Sequence, residues 1–163
     1  MRLVPLAFLI GISALILGCS SPVSDNSATN SANRADNTSA SNSAKDSVDD
    51  LSMMIRLPFE PEEATWKDPQ KGENKLTAVL LYSNEDAAKF SSHLAAQGQP
   101  KPDTVAVDDW FPSELRSQGD IGGESTLNGQ SYPAGDIIQP PYTEGKVTRI
   151  ADSNYFVVQL AAK

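Results

Sequence analysis

The chain has 163 residues, with 13 Lys and Arg against 21 Asp and Glu, a formal net charge of −8. An acidic surface repels phosphate backbones and gives no attraction to anionic lipid headgroups, so a nucleic-acid partner is not expected and membrane binding needs another source. The one cysteine, Cys19, excludes an intrachain disulfide and any cysteine-ligated zinc site further along the chain.

At the N-terminus, Arg2 supplies a positive charge, and Leu3 to Leu17 is an apolar run broken by Pro5, Gly11 and Ser13. The run is shorter than the roughly 20 residues of a transmembrane helix. It matches the apolar region of a secretory signal. It closes on Leu15-Ile16-Leu17-Gly18-Cys19, followed at once by Ser20, Ser21 and Pro22. This stretch resembles the lipobox of bacterial lipoproteins, with Ile16 at the aliphatic position, Gly18 at the small one and Cys19 at the modified one. Leu17 is bulkier than the residue usual between them.

The resemblance implies cleavage between Gly18 and Cys19, a diacylglyceryl group on the Cys19 thiol and acylation of the new amine. Each buried methylene contributes about 0.8 kcal/mol, and two or three acyl chains such as palmitate make a lasting membrane anchor. The implied location is the bacterial cell envelope, on the exported side. Ser20 resembles the residue found in lipoproteins sorted to the outer membrane, in organisms that have one. The resemblance ends at the cysteine and implies nothing about the fold that follows.

Residues 20–50 consist almost entirely of Ser, Asn, Ala, Asp and Thr, with Val23 and Val48 as the only larger aliphatic side chains. Such a composition cannot form a core and is expected to be a disordered tether. A flexible coil of about 30 residues spans roughly 30 Å. The foldable part is therefore 51–163, one small domain in which ten Lys and Arg stand against sixteen Asp and Glu.

Within that domain, Met53 to Phe59 reads as a first strand closed by Pro58 and Pro61, and 60–75 as a charged, turn-rich segment anchored by Trp66. Leu76 to Tyr82 is nearly all apolar and reads as a strand buried on both faces. Ser83 then caps a helix, with Asp86 as its partner three residues on; Ala87, Phe90 and Leu94 form its apolar stripe, and Gly98 and Pro100 end it. Thr104 to Val107 reads as a short strand, completing a βαβ unit or a split version of it. Asp109 and Pro112 are placed to start a short helix. Asn128-Gly129 is a turn dipeptide expected to tip a hairpin, and Ile137-Ile138 a brief strand. Residues 146–150 and 155–160 form a terminal hairpin around Asp152-Ser153-Asn154, with an imperfect alternation in the first arm, Val147 and Arg149 against Thr148 and Ile150. The sum is an α+β domain: a mostly antiparallel sheet of five or six strands, one main helix and one short helix, with the helices on one face.

No constellation in this sequence selects a chemistry. His93, the only histidine, lies on the main helix, and no spacing picks out an orienting acid or a nucleophile for it. Asp103, Asp108, Asp109 and Glu114 do not follow the spacing of a calcium loop. Gly122-Gly123 and its neighbours fit neither phosphate-binding pattern. No catalytic residue, cofactor or metal is expected. Trp110 and Phe111, with Tyr132 and Tyr142 in a proline-rich loop, are the candidate partner-binding aromatics, since aromatic side chains supply much of the energy of interfaces. The leading expectation is a membrane-anchored, non-enzymatic module that binds an envelope protein or peptide. The alternatives are a small hydrolase using His93 or a carboxylate pair, and a structural or assembly subunit of an envelope complex.

Overall fold

The computed structural model describes residues 44–67, 74–121 and 125–163. The signal segment, Gly18, Cys19, the tether up to residue 43 and Gly122-Gly123 lie outside the described residues. In chain order the elements are α1 (Val48–Ser52), β1 (Glu63–Lys67), β2 (Lys75–Leu81), α2 (Asn84–Gln97), β3 (Lys101–Ala106), α3 (Ser113–Ile121), β4 (Thr126–Pro133), a 3-10 turn at Gly135–Ile137, β5 (Glu144–Ile150) and β6 (Tyr155–Ala161).

The six strands form one sheet in the order β1-β2-β6-β5-β4-β3, and every neighbouring pair is antiparallel. The fold is α+β. β2 and β3, joined through α2, run in the same direction with β6, β5 and β4 between them, so the expected βαβ unit exists in its split form.

Side chains alternate across the sheet and sort the core into two layers. On one face Leu76, Ala78 and Leu80 of β2 and Phe156, Val158 and Leu160 of β6 meet Ala87, Phe90 and Leu94 of α2 and Leu51 of α1. The Phe90 ring centroid stands 5.0 Å from that of Tyr82 and 4.9 Å from that of Phe156, tilted geometries that aromatic rings favour. On the other face Val79, Val157, Ile150, Val105 and Leu127 pack under Phe111 and Leu115 of α3. The helices therefore cover both faces, not one, because β2 and β6 carry apolar residues at both parities.

α2 begins as its sequence requires. The Ser83 hydroxyl accepts from the Asp86 backbone N–H at 3.1 Å and donates to the Asp86 carboxylate at 3.0 Å. α3 starts at Ser113, directly after Pro112 and four residues past Asp109.

Four segments depart from the sequence expectation. The stretch 53–59 joins no strand of the sheet; Ile55 is buried in the core, and the Arg56 N–H donates to the Ile137 carbonyl at 2.9 Å. The charged segment after it contains β1, a five-residue edge strand in which only Ala64 and Trp66 are buried. Asn128-Gly129 lies inside β4, not at a turn. A Cβ on Gly129 would collide with the Arg149 carbonyl oxygen of β5, so this glycine serves close strand approach. Ile137 sits in the 3-10 turn, which opens on Gly135 at φ +52°.

The boundary expected at residue 51 falls inside α1. Lys45 pairs with Trp66 on the edge of β1, and the Trp66 indole N–H donates to the Ser47 carbonyl at 3.1 Å. Trp66 thus fastens residues 44–52 to the sheet. The opposite edge, β3, carries Lys101, Pro102 and Asp103, the charge and proline that oppose strand addition. Among the described residues, no helix is long and apolar enough to cross a membrane.

Candidate functional site

α2 packs on the core side chains of β2 and β6 and reaches across to β4, while near the β5–β6 turn part of the same face stays open. There a groove of about 650 Å³ is lined by Asn84 at the start of α2, by Asn128, Gln130 and Tyr132 of β4, and by Arg149 to Asn154 at the β5–β6 turn. Strand register fixes its floor. Arg149 is opposite Gln130 on one side and Phe156 on the other, so it shares the α2 face with Val147 and Phe156. An arginine has entered a row of apolar positions.

Two contacts hold that guanidinium in place. One of its N–H groups donates to the Ser91 hydroxyl of α2 at 3.1 Å, and its carbon lies 5.8 Å from the centre of the Phe156 ring. Among the described residues no carboxylate forms an ion pair with Arg149, although Asp152 also lines the groove. The walls are amides. The Asn154 amide nitrogen donates to the Asn84 amide oxygen at 2.7 Å, while Asn128 and Gln130 are exposed on the floor. The arrangement offers a fixed cation with spare donors and several side chains that can both donate and accept.

On the opposite flank of α2 the polar groups are spent on one another. His93 Nε2 lies 3.1 Å from each Asp136 carboxylate oxygen, and the Gln97 amide donates to the same carboxylate at 2.6 Å. Phe59 packs edge-on against the imidazole at 6.1 Å. This cluster ties α2 to the 3-10 turn. Asp136 also lines a recess of about 420 Å³ with Ser52, Ile55, Arg56, Leu57, Pro58 and Gln139. Of the two serines that precede His93 on the helix, Ser91 donates to the Ala87 carbonyl and accepts from Arg149, on the groove side, and Ser92 donates to the Ala88 carbonyl.

A third polar cluster lies on the α3 face of the sheet. The Lys146 ammonium donates to Asp103 at 2.6 Å, and that hydrogen bond, first among its causes, holds the Asp103 carboxyl below the usual carboxylate range. Thr148, fully buried, donates to the same carboxylate at 3.4 Å.

The four candidate aromatics are not brought together. Phe111 is buried in the layer under α3, and Trp110 packs edge-on against it at 4.7 Å with its indole N–H on Asp108. Tyr132 and Tyr142 are buried in the layer under α2, on the other side of the sheet. Only Tyr132, 7 % exposed, reaches the groove. Asp108, Asp109 and Glu114 belong to no cluster of three or more metal-ligating side chains among the described residues.

The groove residues Arg149, Asn84, Asn128, Gln130 and Asn154 were not singled out by sequence. One signal was present: Arg149 breaks the alternation of β5 at a core-facing position. The amides carried none, because they come from three separate segments.

No family model, curated protein or solved structure matches the chain.

Proposed function

We propose that this chain is a lipid-anchored protein of the bacterial envelope whose folded domain is a non-enzymatic binding module, with the groove beside α2 as its binding surface. One observation carries the binding part: a half-buried arginine, Arg149, lies in an amide-lined groove with no carboxylate paired to it among the described residues. The spare donors of a half-buried cation in an open groove are left to water, and a ligand that supplies the counter-charge takes them up in charge-assisted hydrogen bonds. The lipobox resemblance at Ile16-Leu17-Gly18-Cys19 supports the anchoring part.

The hydrolase reading has one observation in its favour, the His93–Asp136 pair. Nucleophilic catalysis also needs a hydroxyl within reach of the imidazole, and the Ser91 hydroxyl is engaged by Ala87 and Arg149 and the Ser92 hydroxyl by the Ala88 carbonyl. The binding reading needs no such addition.

Anchoring is tested by expressing the full chain and its Cys19→Ser variant in a bacterial host. The native chain is expected to enter the detergent phase on phase partitioning and to take up labelled fatty acid. The variant is expected to lose both properties. Retention of the variant in the detergent phase would contradict a thiol-linked anchor.

A further inference from the structure

The charge and hydrogen-bonding pattern of the groove define the kind of ligand it takes. Arg149 carries five N–H donors in a planar fork, and the Ser91 hydroxyl accepts from NH1. That hydroxyl holds one nitrogen of the fork before a ligand arrives, and the Phe156 ring lies 5.8 Å from its carbon. A planar fork of this kind matches a carboxylate, which it binds through two parallel hydrogen bonds. Asn128 and Gln130, both exposed, each present a donor and an acceptor, the complement of a peptide unit's C=O and N–H, and Asn84 and Asn154, bonded to each other, keep part of their capacity.

Two further features narrow the ligand. Asp152 lines the same groove, so negative charge is opposed there, and among anionic ligands one with several charges is opposed more than one with a single carboxylate. Tyr132 is the one aromatic residue of the lining and is 7 % exposed, so the groove offers no open ring on which a sugar could stack. The volume of about 650 Å³ falls within the range of small-ligand sites, with room for about two or three residues.

We infer that the groove binds the free C-terminal carboxylate of a short peptide segment, with Arg149 as its anchor and the flanking amides reading the peptide backbone. This rests on the groove being the binding surface.

The test is calorimetric titration of the full chain in detergent with three probes: trialanine, trialanine C-terminal amide and glucuronate. The free acid is expected to bind at least about tenfold more tightly than the amide, a difference of about 1.4 kcal/mol, and more tightly than glucuronate. Arg149→Gln should abolish the preference for acid over amide, and Arg149→Lys should keep part of it, because a point charge replaces the fork. Asn128→Asp, at an exposed position of the floor, supplies an independent check if Arg149→Gln does not fold. It should weaken the acid at least fivefold and the amide little.

Equal binding of acid and amide, an acid preference that survives both Arg149→Gln and Asn128→Asp, tighter binding of glucuronate, or no binding of any probe overturns the carboxylate proposal. Equal binding of acid and amide, lost in a Gln130→Trp variant that fills the groove, would overturn the carboxylate while leaving the groove as the binding surface. Equal binding unaffected by that filling would remove the groove as well.

Discussion

The two flanks of α2 make an instructive contrast. Helical periodicity puts His93 and Gln97 on one side and Asn84 and Ser91 on the other. On the first side the polar groups close on one another: His93, Gln97 and Asp136 form a small mutual network. On the second, Asn84 and Asn154 bond to each other and Arg149 to Ser91, but Asn128, Gln130 and the remaining Arg149 donors line open space. Equally polar surroundings therefore serve different ends. Where donors and acceptors are matched within the chain, the cluster fastens two elements; where they are left over around a cavity, the fold has kept bonding capacity for something else.

That contrast can be broken at several points. The largest effect is expected at Gly129, where β4 approaches β5 under the groove. Gly129→Val places a Cβ against the Arg149 carbonyl and should destabilise the domain by about 3 kcal/mol or more, read as a drop in denaturant midpoint. Trp66→Ala is comparable at about 3–5 kcal/mol, since the ring is 1 % exposed and its N–H holds Ser47. Because Trp66 fastens residues 44–52 to the sheet, this variant should also expose that segment to protease.

Smaller effects separate the two flanks directly. Asp136→Ala should cost up to about 1 kcal/mol of stability, because His93 and Asp136 keep 30 % and 47 % side-chain exposure, and should leave trialanine binding unchanged. Arg149→Leu should show the reverse, with stability within about 0.5 kcal/mol of the parent and the preference for the free acid gone. Loss of binding in the first variant, or a large loss of stability in the second, would erase the distinction.

The smallest effect concerns the α3 face. The Asp103 carboxyl is held below its unfolded value, first by the Lys146 hydrogen bond. Its stabilising contribution is then complete above the unfolded aspartate value of about 3.9 and fades as pH falls through the lower folded value. Lys146→Met should therefore narrow the stability gap between pH 6 and pH 2.5, by about 0.2–1 kcal/mol for a partly exposed pair. An unchanged acid limb of the denaturation profile would contradict the pairing.

Much of the fold was legible in the sequence, and the reasons are local. The run from Leu76 to Tyr82, the Ser83–Asp86 cap and the stripe Ala87, Phe90 and Leu94 agree with one another at every level, so β2 and α2 could be placed without a structure. The terminal hairpin was equally plain. What failed depended on partners distant in sequence. Ile55, Leu57 and Phe59 alternate as in a strand, yet the stretch joins no strand of the sheet. Asn128-Gly129 carries a strong turn signal, overridden because β4 needs a residue without a Cβ beside Arg149. The groove is assembled from α2, β4 and the β5–β6 turn, and only Arg149 departed from its local pattern.

The most direct test of the groove as the binding surface is a mapping of backbone amide resonances in the full chain as trialanine is titrated in. The expected shifts cluster at Asn128 to Tyr132, Arg149 to Asn154 and Asn84, with His93, Gln97 and Asp136 unmoved. Shifts centred on His93 and Asp136, or none at the groove, would contradict it.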